Sequence, residues 1–238
     1  MNHLLNTLKN NSVYQQATQT INSWGYDLGG KKQTMTIKHP IMNQIASTVA
    51  AEPDFYVDAA LESTAEAAPS TEETPTPTHH YQLRLRLATL EDLPAIAELE
   101  GIGYDGYMAW ELDDFERDWR TNPYAVYLVL ENVSAEETDE APPLVGMATG
   151  RFLIKKAHIS HLIIHPDFQG HGLGDYLLNQ WLTLAKKVKV RQASLEVRES
   201  NFAAQQLYYK NGFTLASKKH NYYYNNHETA LYLVRSLT

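Results

Sequence analysis

A short apolar stretch that runs directly into a glycine-rich turn is the feature that most constrains this chain. Residues His158–Ile164 have the pattern of a strand, and Gly170, Gly172 and Gly174 follow closely. Apolar residues then recur at spacings of three and four, at Leu173, Leu177, Trp181, Leu184 and Val188. Because these spacings define one face of a helix, the pattern predicts a strand, a tight turn and an amphipathic helix that begins inside the turn.

Strand-like and helix-like segments alternate along the rest of residues 81–237. Further strands are predicted at 81–87, 125–130, 144–154, 193–197, 213–219 and 229–235. Further helices are predicted at 91–100, after the N-cap residue Thr89, at 111–120, and from residue 201 to Gly212, a suitable C-cap. The alternation continues without a second long linker, which predicts one mixed α/β domain.

The composition divides the chain into three parts. Residues 58–79 consist mainly of Ala, Glu, Ser, Thr and Pro, so they have little to bury and are predicted to form a flexible linker. The linker separates an N-terminal extension, residues 1–57, from a C-terminal domain, residues 80–238. The extension shows helical patterns near residues 4–21 and 41–51, and it carries no motif to which a chemistry can be assigned.

The bulk composition narrows the functional classes. The chain has 238 residues, no cysteine and a net charge of −8. Without cysteine there are no disulfides, thiolate nucleophiles or cysteine-ligated zinc, and the acidic balance does not resemble a nucleic-acid-binding surface. No N-terminal apolar core has the length of a signal peptide and no run reaches a membrane span, so the sequence predicts a soluble, cytoplasmic protein without membrane contact.

The three glycines have two interpretations. Side chains at these positions would block the approach of a phosphate to backbone N–H groups and to the N-terminus of the following helix. A tight turn between a strand and a helix would also require glycine, without any ligand. The spacing differs from the dinucleotide fingerprint, and no acidic residue follows at the distance that a ribose would need. The glycines alone leave phosphate binding and a plain turn equally open.

The residues around the glycines resemble the GNAT acetyltransferases. The signature of that family is Gln or Arg, any two residues, Gly, any residue, and then Gly or Ala. Gln169, Gly172 and Gly174 match it. The chain also resembles one branch, the RimI-type ribosomal-protein-alanine N-acetyltransferases, over residues 81–237 and most strongly from His158 onward. The residues that carry this second resemblance are Leu195–Arg198, Ser200, Asn201, Ala203, Ala204, Leu207, Tyr208, Gly212, Phe213 and Asn221–Tyr223.

The resemblance implies a fold and a co-substrate. Such enzymes have an α/β (α+β) fold with a mixed, mostly antiparallel sheet flanked by helices, here with an N-terminal extension, and they use acetyl-CoA and no metal. In the family, the strand before the turn binds the acetyl and pantetheine end, the turn holds the pyrophosphate, and an asparagine touches the cofactor. The matching residues are Leu162, Ile163, Ile164, Gln169, Gly170, His171, Gly172, Leu173, Gly174, Asp175 and Asn201.

The resemblance also implies a general base, Glu196, and a general acid, Tyr208. The residues themselves leave open another interpretation, in which Glu196 is a solvent-facing charge on a strand and Tyr208 packs in the core beside Phe213. Asn201 and Tyr208 are seven residues apart on the predicted helix and therefore share a face. A glutamate suits an α-amine, which is partly neutral at pH 7, better than a lysine, and a tyrosine is still protonated and able to donate to the coenzyme A thiolate.

By resemblance, the expected reaction is acetylation of the N-terminal α-amine of a protein, such as a small-subunit ribosomal protein with an N-terminal alanine. Two alternatives remain open. One is an acetyltransferase for a small amine or a lysine, and the other is a catalytically silent acyl-CoA-binding or adaptor module. The segment Tyr222–Tyr224 is expected either to line a groove for the acceptor or to form a plain hairpin surface.

Several residues depart from the family pattern. His161 stands where asparagine is common, Asp175 stands where a basic residue is common, Ala109 replaces proline before Trp110, and Thr229 replaces an acidic residue. These changes bear on the choice of peptide more than on acetyl transfer.

Four histidines lie close together in sequence, at positions 158, 161, 165 and 171. The two-residue period of a strand predicts that His158 faces the opposite side from His161 and His165. Since no further pair has the spacing of metal ligands, no metal site is predicted.

Overall fold

The computed structural model describes residues 25–27, 32–34, 45, 48–49, 52, 54–60, 78–104, 109–134 and 142–238. The strands are β1 (Gly25–Asp27), β2 (Lys32–Thr34), β3 (Phe55–Ala60), β4 (Thr78–Leu87), β5 (Ala125–Asn132), β6 (Leu144–Phe152), β7 (Lys156–Ile164), β8 (Gln192–Arg198), β9 (Thr214–Lys219) and β10 (Ala230–Ser236). The α-helices are α1 (Leu93–Gly103), α2 (Leu112–Thr121), α3 (Leu173–Lys187) and α4 (Phe202–Lys210). Short 3-10 turns precede α1, at Leu90–Asp92, and α3, at Pro166–Phe168.

Eight of the described strands form one mixed sheet in the order β3-β4-β5-β6-β7-β8-β10-β9, while β1 and β2 form a separate antiparallel pair. Within the described residues, β7 and β8 are the only parallel neighbours of the large sheet. The predicted fold class, a mixed and mostly antiparallel sheet flanked by helices, is confirmed. The strands and helices predicted between residues 81 and 237 are present, with ends that differ by a few residues.

The parallel pairing of β7 with β8 is short. It runs from Lys156 opposite Gln192 to Ile159 opposite Leu195, and then both strands continue without pairing to each other. The separation begins at a bulge in β7. On the other side of β7, Thr149 of β6 lies opposite His161 and Gly150 lies opposite Ile159, which leaves Ser160 as the extra residue.

The bulge changes which side of the sheet the later residues of β7 face. Ile159 lies in the hydrophobic core that contains α3, whereas Ile163 lies in the core that contains α1 and α2. His158 and His161 therefore face the same side, and they interact electrostatically. The prediction that they face opposite sides is wrong, because the extra residue at Ser160 breaks the two-residue period.

Two hydrophobic cores hold the helices against the sheet. The larger one contains α3, whose predicted apolar face is buried at Leu173, Leu177, Trp181, Leu184 and Val188. The smaller one joins α1 and α2 to the opposite side of the sheet, with Ile96 and Phe115 fully buried. Among the helices that the structure describes, none is long and apolar enough to cross a membrane.

Part of the N-terminal extension is built into the same sheet. Strand β3 pairs antiparallel with β4 over residues 55–60. Two helical residues before it, Ile45 and Val49, are buried in the larger core. The carboxylate of Glu52 accepts a hydrogen bond from the side chain of Gln180 in α3 at 3.1 Å. These contacts attach Ile45, Val49, Glu52 and β3 to the C-terminal domain.

The ends of the predicted linker are strands in the structure. Residues 58–60 belong to β3 and residues 78–79 belong to β4, because pairing between the two strands satisfies their backbone groups despite the polar composition. Residues 61–77 lie outside the described residues, as does the helical pattern predicted near residues 4–21. The division of the chain into three parts stays a prediction.

Candidate active site

The separation of β7 and β8 opens a cavity of about 390 Å³. Leu162–Ile164 of β7 line one part of it and Leu195–Arg198 of β8 line another. The ends of α1 and α3 and the inner side of α4 complete the lining. Because β7 and β8 no longer pair here, backbone groups on their facing edges are available to a ligand.

The glycine-rich turn forms one end of the cavity. Gly170 and Gly172 have φ angles of +81° and +78°, a backbone conformation that favours glycine. A Cβ atom at either position would meet no atom within 4 Å. Glycine is therefore required by the positive φ angle and not by a lack of space. The first backbone bond of α3 is donated by Tyr176 to Gly172 at 3.0 Å, and the N–H groups before it point out of the helix. The turn geometry alone accounts for these glycines, and the exposed backbone also fits a phosphate.

The structure brings most of the predicted co-substrate residues together. Those that line the cavity are Leu162, Ile163, Ile164, Gln169, Gly170, Gly172, Leu173, Gly174, Asp175 and Asn201. His171 does not line it, because its exposed ring turns away, with Nδ1 3.3 Å from the carbonyl oxygen of Phe168. Gln169 folds back on the strand and donates from Nε2 to the carbonyl of Ile164 at 3.1 Å.

Two polar residues of this set are fixed by α4. The carboxylate of Asp175 accepts a hydrogen bond from Asn211 at 2.7 Å and lies 3.5 Å from Nζ of Lys210. These contacts offset part of a negative charge that would otherwise oppose a phosphate at the turn. Asn201 is the N-cap of α4, and its Oδ1 accepts from the backbone N–H of Ala204 at 3.0 Å.

Glu196 projects from β8 into the cavity. Only 11% of its side chain is exposed, so it is not the solvent-facing charge of the alternative interpretation. Its Oε1 accepts a hydrogen bond from Nζ of Lys219 at 2.6 Å, and its Oε2 lies 3.2 Å from Nε2 of His158. Burial raises the pKa of this carboxyl, but the hydrogen bonds from His158 and Lys219 outweigh it and the net pKa is lowered. The group is therefore an ionised carboxylate at neutral pH.

Tyr208 lines the cavity from α4, one of whose ends carries Asn201. It is buried, and its ring meets Phe213 edge-on with 5.8 Å between the ring centres, so the core contact of the alternative interpretation is also present. Burial, with a smaller effect of Tyr223, raises the pKa of the phenol well above its usual value. The phenol keeps its proton at neutral pH.

An aromatic and cationic group lines the cavity near Tyr208. The guanidinium of Arg198 lies 3.8 Å from the ring centre of Tyr223 and 3.0 Å from the carboxylate of Glu228. Tyr104, at the end of α1, faces the same space. Tyr223 thus fits the groove interpretation of its segment, whereas Tyr224 is 92% exposed and fits the plain surface. Sequence reasoning missed Tyr104, which carried no local signal, and gave Arg198 no role although it lies inside the matched motif.

A buried polar pair joins α1, through Glu100, to β7, through His161, and sequence reasoning missed the acidic member. Nδ1 of His161 is 2.6 Å from Oγ1 of Thr149, and its Nε2 is 3.7 Å from Oε1 of Glu100. Burial raises the pKa of Glu100 to about 7, and the facing backbone N–H groups of Ala109 and Trp110 offset only part of this. Within the described residues, neither carboxyl oxygen has a partner at hydrogen-bond geometry. Burial, with a smaller effect of the imidazole of His158, lowers the pKa of His161 to about 4, so the ring of His161 is neutral.

Thr229, another departure from the family pattern, and His165 each have a hydrogen-bond partner nearby. Oγ1 of Thr229 lies 3.2 Å from Nδ1 of His220, and Nδ1 of His165 accepts from the backbone N–H of Asp167 at 3.4 Å. Among the described residues, no three His, Cys, Asp or Glu side chains are grouped as metal ligands. Met108 lies outside the described residues.

Comparison with known protein sequences agrees with this geometry. The model of the acetyltransferase (GNAT) family matches residues 93–213. A Bacillus subtilis (strain 168) protein, described provisionally as a ribosomal protein bS18-alanine N-acetyltransferase, is 34% identical over 147 residues, which are 62% of this chain and 91% of that protein. The bS18-alanine N-acetyltransferase of Escherichia coli (strain K12) is 35% identical over 80 residues, 34% of this chain and 54% of that protein. The second match thus spans about half of the relative.

Solved structures share the fold. The ribosomal-protein-S18-alanine N-acetyltransferase from Escherichia coli has a TM-score of 0.57 and 24% identity, over 66% of this chain and 94% of that one. Ard1 from Thermoplasma volcanium has a TM-score of 0.54 and 21% identity, over 66% of this chain and 98% of that one. At these identities the likeness shows the architecture alone.

Proposed function

Because this chain belongs to the GNAT family of acetyltransferases, we propose that it transfers the acetyl group of acetyl-CoA to the N-terminal α-amine of a protein. The observation that carries the proposal is the meeting of Glu196 and Tyr208 in the cavity between β7 and β8, beside the glycine-rich turn. A carboxylate that accepts a proton and a phenol that donates one are the two groups that transfer from a thioester to an amine requires.

The residues around the cavity are suited to acetyl-CoA, which supplies a reactive thioester when bound. The backbone N–H groups at the start of α3 and the open backbone at Gly170 and Gly172 offer donors to the pyrophosphate. The backbone of Leu162–Ile164 lines the cavity and offers hydrogen bonds to the pantetheine arm and the acetyl oxygen. Asn201 lines the same space from the start of α4.

Glu196 takes the proton that the acceptor amine loses. Its lowered pKa keeps it ionised and makes it a weak base. A weak base suits an α-amine, with an ordinary pKa of about 8, better than a lysine, with an ordinary pKa of about 10.4. The carboxylate therefore favours an N-terminal acceptor over a side-chain acceptor.

Tyr208 donates to the sulfur that leaves. Its raised pKa makes the phenol a hydrogen-bond donor first, and a proton donor only as negative charge develops on the sulfur. Its contact with Phe213 fixes the ring against the core, so the hydroxyl is held in place before the substrates bind.

The named relatives support a ribosomal acceptor. The proteins from Bacillus subtilis and Escherichia coli are both described as acting on the alanine of ribosomal protein bS18. We extend this substrate class to the present chain, so the preferred acceptor is a ribosomal protein that begins with alanine.

The test is thiol release from acetyl-CoA by the full chain. The acceptors are a peptide that begins with alanine, the same peptide with a blocked N-terminus, and the blocked peptide with an added lysine. Release is expected only with the free N-terminus, and Glu196→Gln and Tyr208→Phe are each expected to lower kcat by about 100-fold or more. Glu199→Gln and Tyr209→Phe change exposed neighbours of the same types and serve as matched controls.

Other outcomes would redirect the proposal. Release with the lysine peptide alone would assign the chain to the lysine acetyltransferases. Binding of acetyl-CoA without release to any acceptor would favour a silent acyl-CoA-binding module. Full activity of both Glu196→Gln and Tyr208→Phe would overturn the assigned base and acid.

A further inference from the structure

His158 lies directly behind Glu196 as seen from the cavity. Its Nε2 is 3.2 Å from Oε2 of Glu196, and its Nδ1 is 3.1 Å from Oγ of Ser194. Glu196 lines the cavity, whereas His158 is not among the described residues that do. The order from the substrate outward is therefore the amine, the carboxylate and then the imidazole.

Ser194 can hydrogen-bond with Nδ1 of His158 in either neutral tautomer. In one, Nε2–H donates to Glu196 and Nδ1 accepts from the hydroxyl of Ser194. In the other, Nδ1–H donates to Oγ of Ser194, whose own hydroxyl turns to the carbonyl oxygen of Ala157 at 3.3 Å. The second tautomer points a bare Nε2 at the carboxylate. The change from the first tautomer to the second requires the ring proton to leave Nε2 for water and another to bind at Nδ1, and the hydroxyl of Ser194 then turns from donor to acceptor. In the second tautomer His158 can accept from Glu196 once that carboxyl is protonated.

We propose that His158 receives the proton that Glu196 takes from the acceptor amine, and so returns Glu196 to its ionised form. The inference rests on the proposed role of Glu196 as the base. The step uses the tautomer with Nδ1–H, in which Nε2 is free to accept a proton. In that tautomer Oε1 of Glu196 still accepts from Lys219, which makes the carboxyl a poor holder of a proton, and an imidazole nitrogen is ordinarily a stronger base than a carboxylate oxygen. His158 touches neither substrate and acts only through Glu196.

The proton balance is complete with groups that are present. An N–H bond of the attacking ammonium breaks as an O–H bond forms at Oε2 of Glu196. That O–H bond then breaks as an N–H bond forms at Nε2 of His158. The imidazolium that results donates to both Glu196 and Ser194, and loss of its Nε2 proton to water restores the accepting tautomer, since 19% of its side chain is exposed.

The other charged groups that face this pair leave the path open. Lys219 holds the other oxygen of Glu196, Oε1, and therefore does not compete for Oε2. Arg151 of β6 lies opposite His158 in the sheet register. Tyr232 of β10 lies opposite Glu196. His161 and His158 interact electrostatically. Tyr222 and Tyr223 also act electrostatically on the carboxylate side of the pair. Among these groups, His158 is the one in contact with Oε2.

The experiment compares His158→Gln, His158→Ala and Ser194→Ala in the full chain. The glutamine amide can still donate to Glu196 but cannot accept its proton. We expect His158→Gln to lower kcat by about 10-fold or more while KM for acetyl-CoA and for the alanine peptide changes by less than about 2-fold. Ser194→Ala removes the oxygen that accepts from Nδ1–H in the accepting tautomer and in the imidazolium, and a smaller loss in kcat is expected. His80→Gln, an exposed histidine on β4, is the control.

Imidazole added to His158→Ala provides the readout that a structural role would not change. We expect it to restore kcat with saturation, and to leave the wild type and Glu196→Gln unchanged. Full activity of His158→Gln, or no response of His158→Ala to imidazole, would overturn the relay. If His158→Gln fails to fold, Ser194→Ala still decides, because full activity of that variant contradicts the tautomer change.

Failure of the relay and failure of the proposed function give different results. An inactive Glu196→Gln with a fully active His158→Gln would leave the function standing and remove the relay. A fully active Glu196→Gln would remove the base itself. A wild type without turnover on any acceptor would remove the function before the relay could be tested.

Discussion

Nζ of Lys219 lies 2.6 Å from Oε1 of Glu196 although β10 separates the two strands that carry them. The ammonium reaches across Tyr232 of β10, at 4.8 Å from its ring centre. In Lys219→Met the carboxyl loses one of the two donors that lower its pKa, so it holds its proton to higher pH. The acid limb of kcat/KM for the alanine peptide is therefore expected to move to higher pH, which a pH–rate profile measures.

The matched control is Lys218→Met. Lys218 is the preceding residue and pairs with Glu199, which is exposed and does not line the cavity. Protonation of the acceptor amine contributes to the acid limb equally in both variants, so only the difference between their profiles reports on Glu196. Coinciding profiles would show that Lys219 does not set the charge of the base.

Glu100 makes the stability of the protein depend on pH. Its pKa is raised to about 7 in the folded protein by burial, above the ordinary value near 4.3, so the folded state binds more protons between these values and stability falls as pH rises through this window. Relative to Glu100→Gln, the wild type is expected to lose about 1 kcal/mol of unfolding free energy between pH 6 and pH 8. Urea unfolding at the two pH values measures this.

Glu98→Gln is the control for that comparison, because Glu98 lies on the same helix and is exposed. It is expected to follow the wild type at both pH values. If the unfolding free energy depends on pH equally in the wild type and in Glu100→Gln, burial does not raise the pKa of Glu100 in the folded protein.

Gly150 is required by the bulge in β7. A Cβ atom at this position would collide with the carbonyl oxygen of His158, a backbone atom that cannot move without moving the strand. Gly150→Ala is therefore expected to lower the unfolding free energy by about 1–3 kcal/mol and to lower activity by displacing His158. Gly174→Ala, whose Cβ would meet only side-chain atoms at 3.6 and 3.8 Å, is expected to keep the stability of the wild type. Similar unfolding curves for both variants would contradict the close approach.

Ile45 tests whether the extension is part of the folded domain. It is fully buried in the larger core, so Ile45→Ala is expected to lower the unfolding free energy by about 2–5 kcal/mol. Leu90→Ala, at an apolar residue that is 52% exposed, is expected to change it by less than about 0.5 kcal/mol. A chain that begins at residue 80 loses β3 as well and is expected to melt at a lower temperature than the full chain. Equal stability of Ile45→Ala and the wild type would make residues 1–57 a separate part, as the sequence predicts.

The sequence was sufficient to predict those helices and strands whose residue spacing repeats within a single element. The buried face of α3 and the course of β7 follow from residue spacing, because each repeat lies within one element. The bulge at Ser160 leaves no such pattern, since one extra residue shifts the pairing and not the composition. The attachment of β3 was missed because its last three residues, 58–60, lie inside the segment 58–79, whose composition predicts a linker.

The candidate site divides in the same way. The turn and the pair Glu196 and Tyr208 lie in continuous motifs, so a resemblance could point to them. The partners of Glu196 come from elsewhere in the chain: Lys219 is 23 residues away and His158 lies on another strand. Glu100 gave no signal because its burial depends on how α1 packs against β7. The sequence identifies groups that carry chemistry, and the tertiary structure sets the charge on them.

The position of β10 has a consequence for the order in which the protein assembles during synthesis. It lies between β8 and β9 in the sheet but follows both in the chain. A ribosome therefore completes the strands that carry Glu196 and Lys219 before the strand that joins them exists. Until β10 inserts, the nascent chain exposes two unpaired strand edges, and these invite mispairing or chaperone binding. Among the described strands, the one synthesised after all the others is thus the one whose insertion brings the base and its ammonium together.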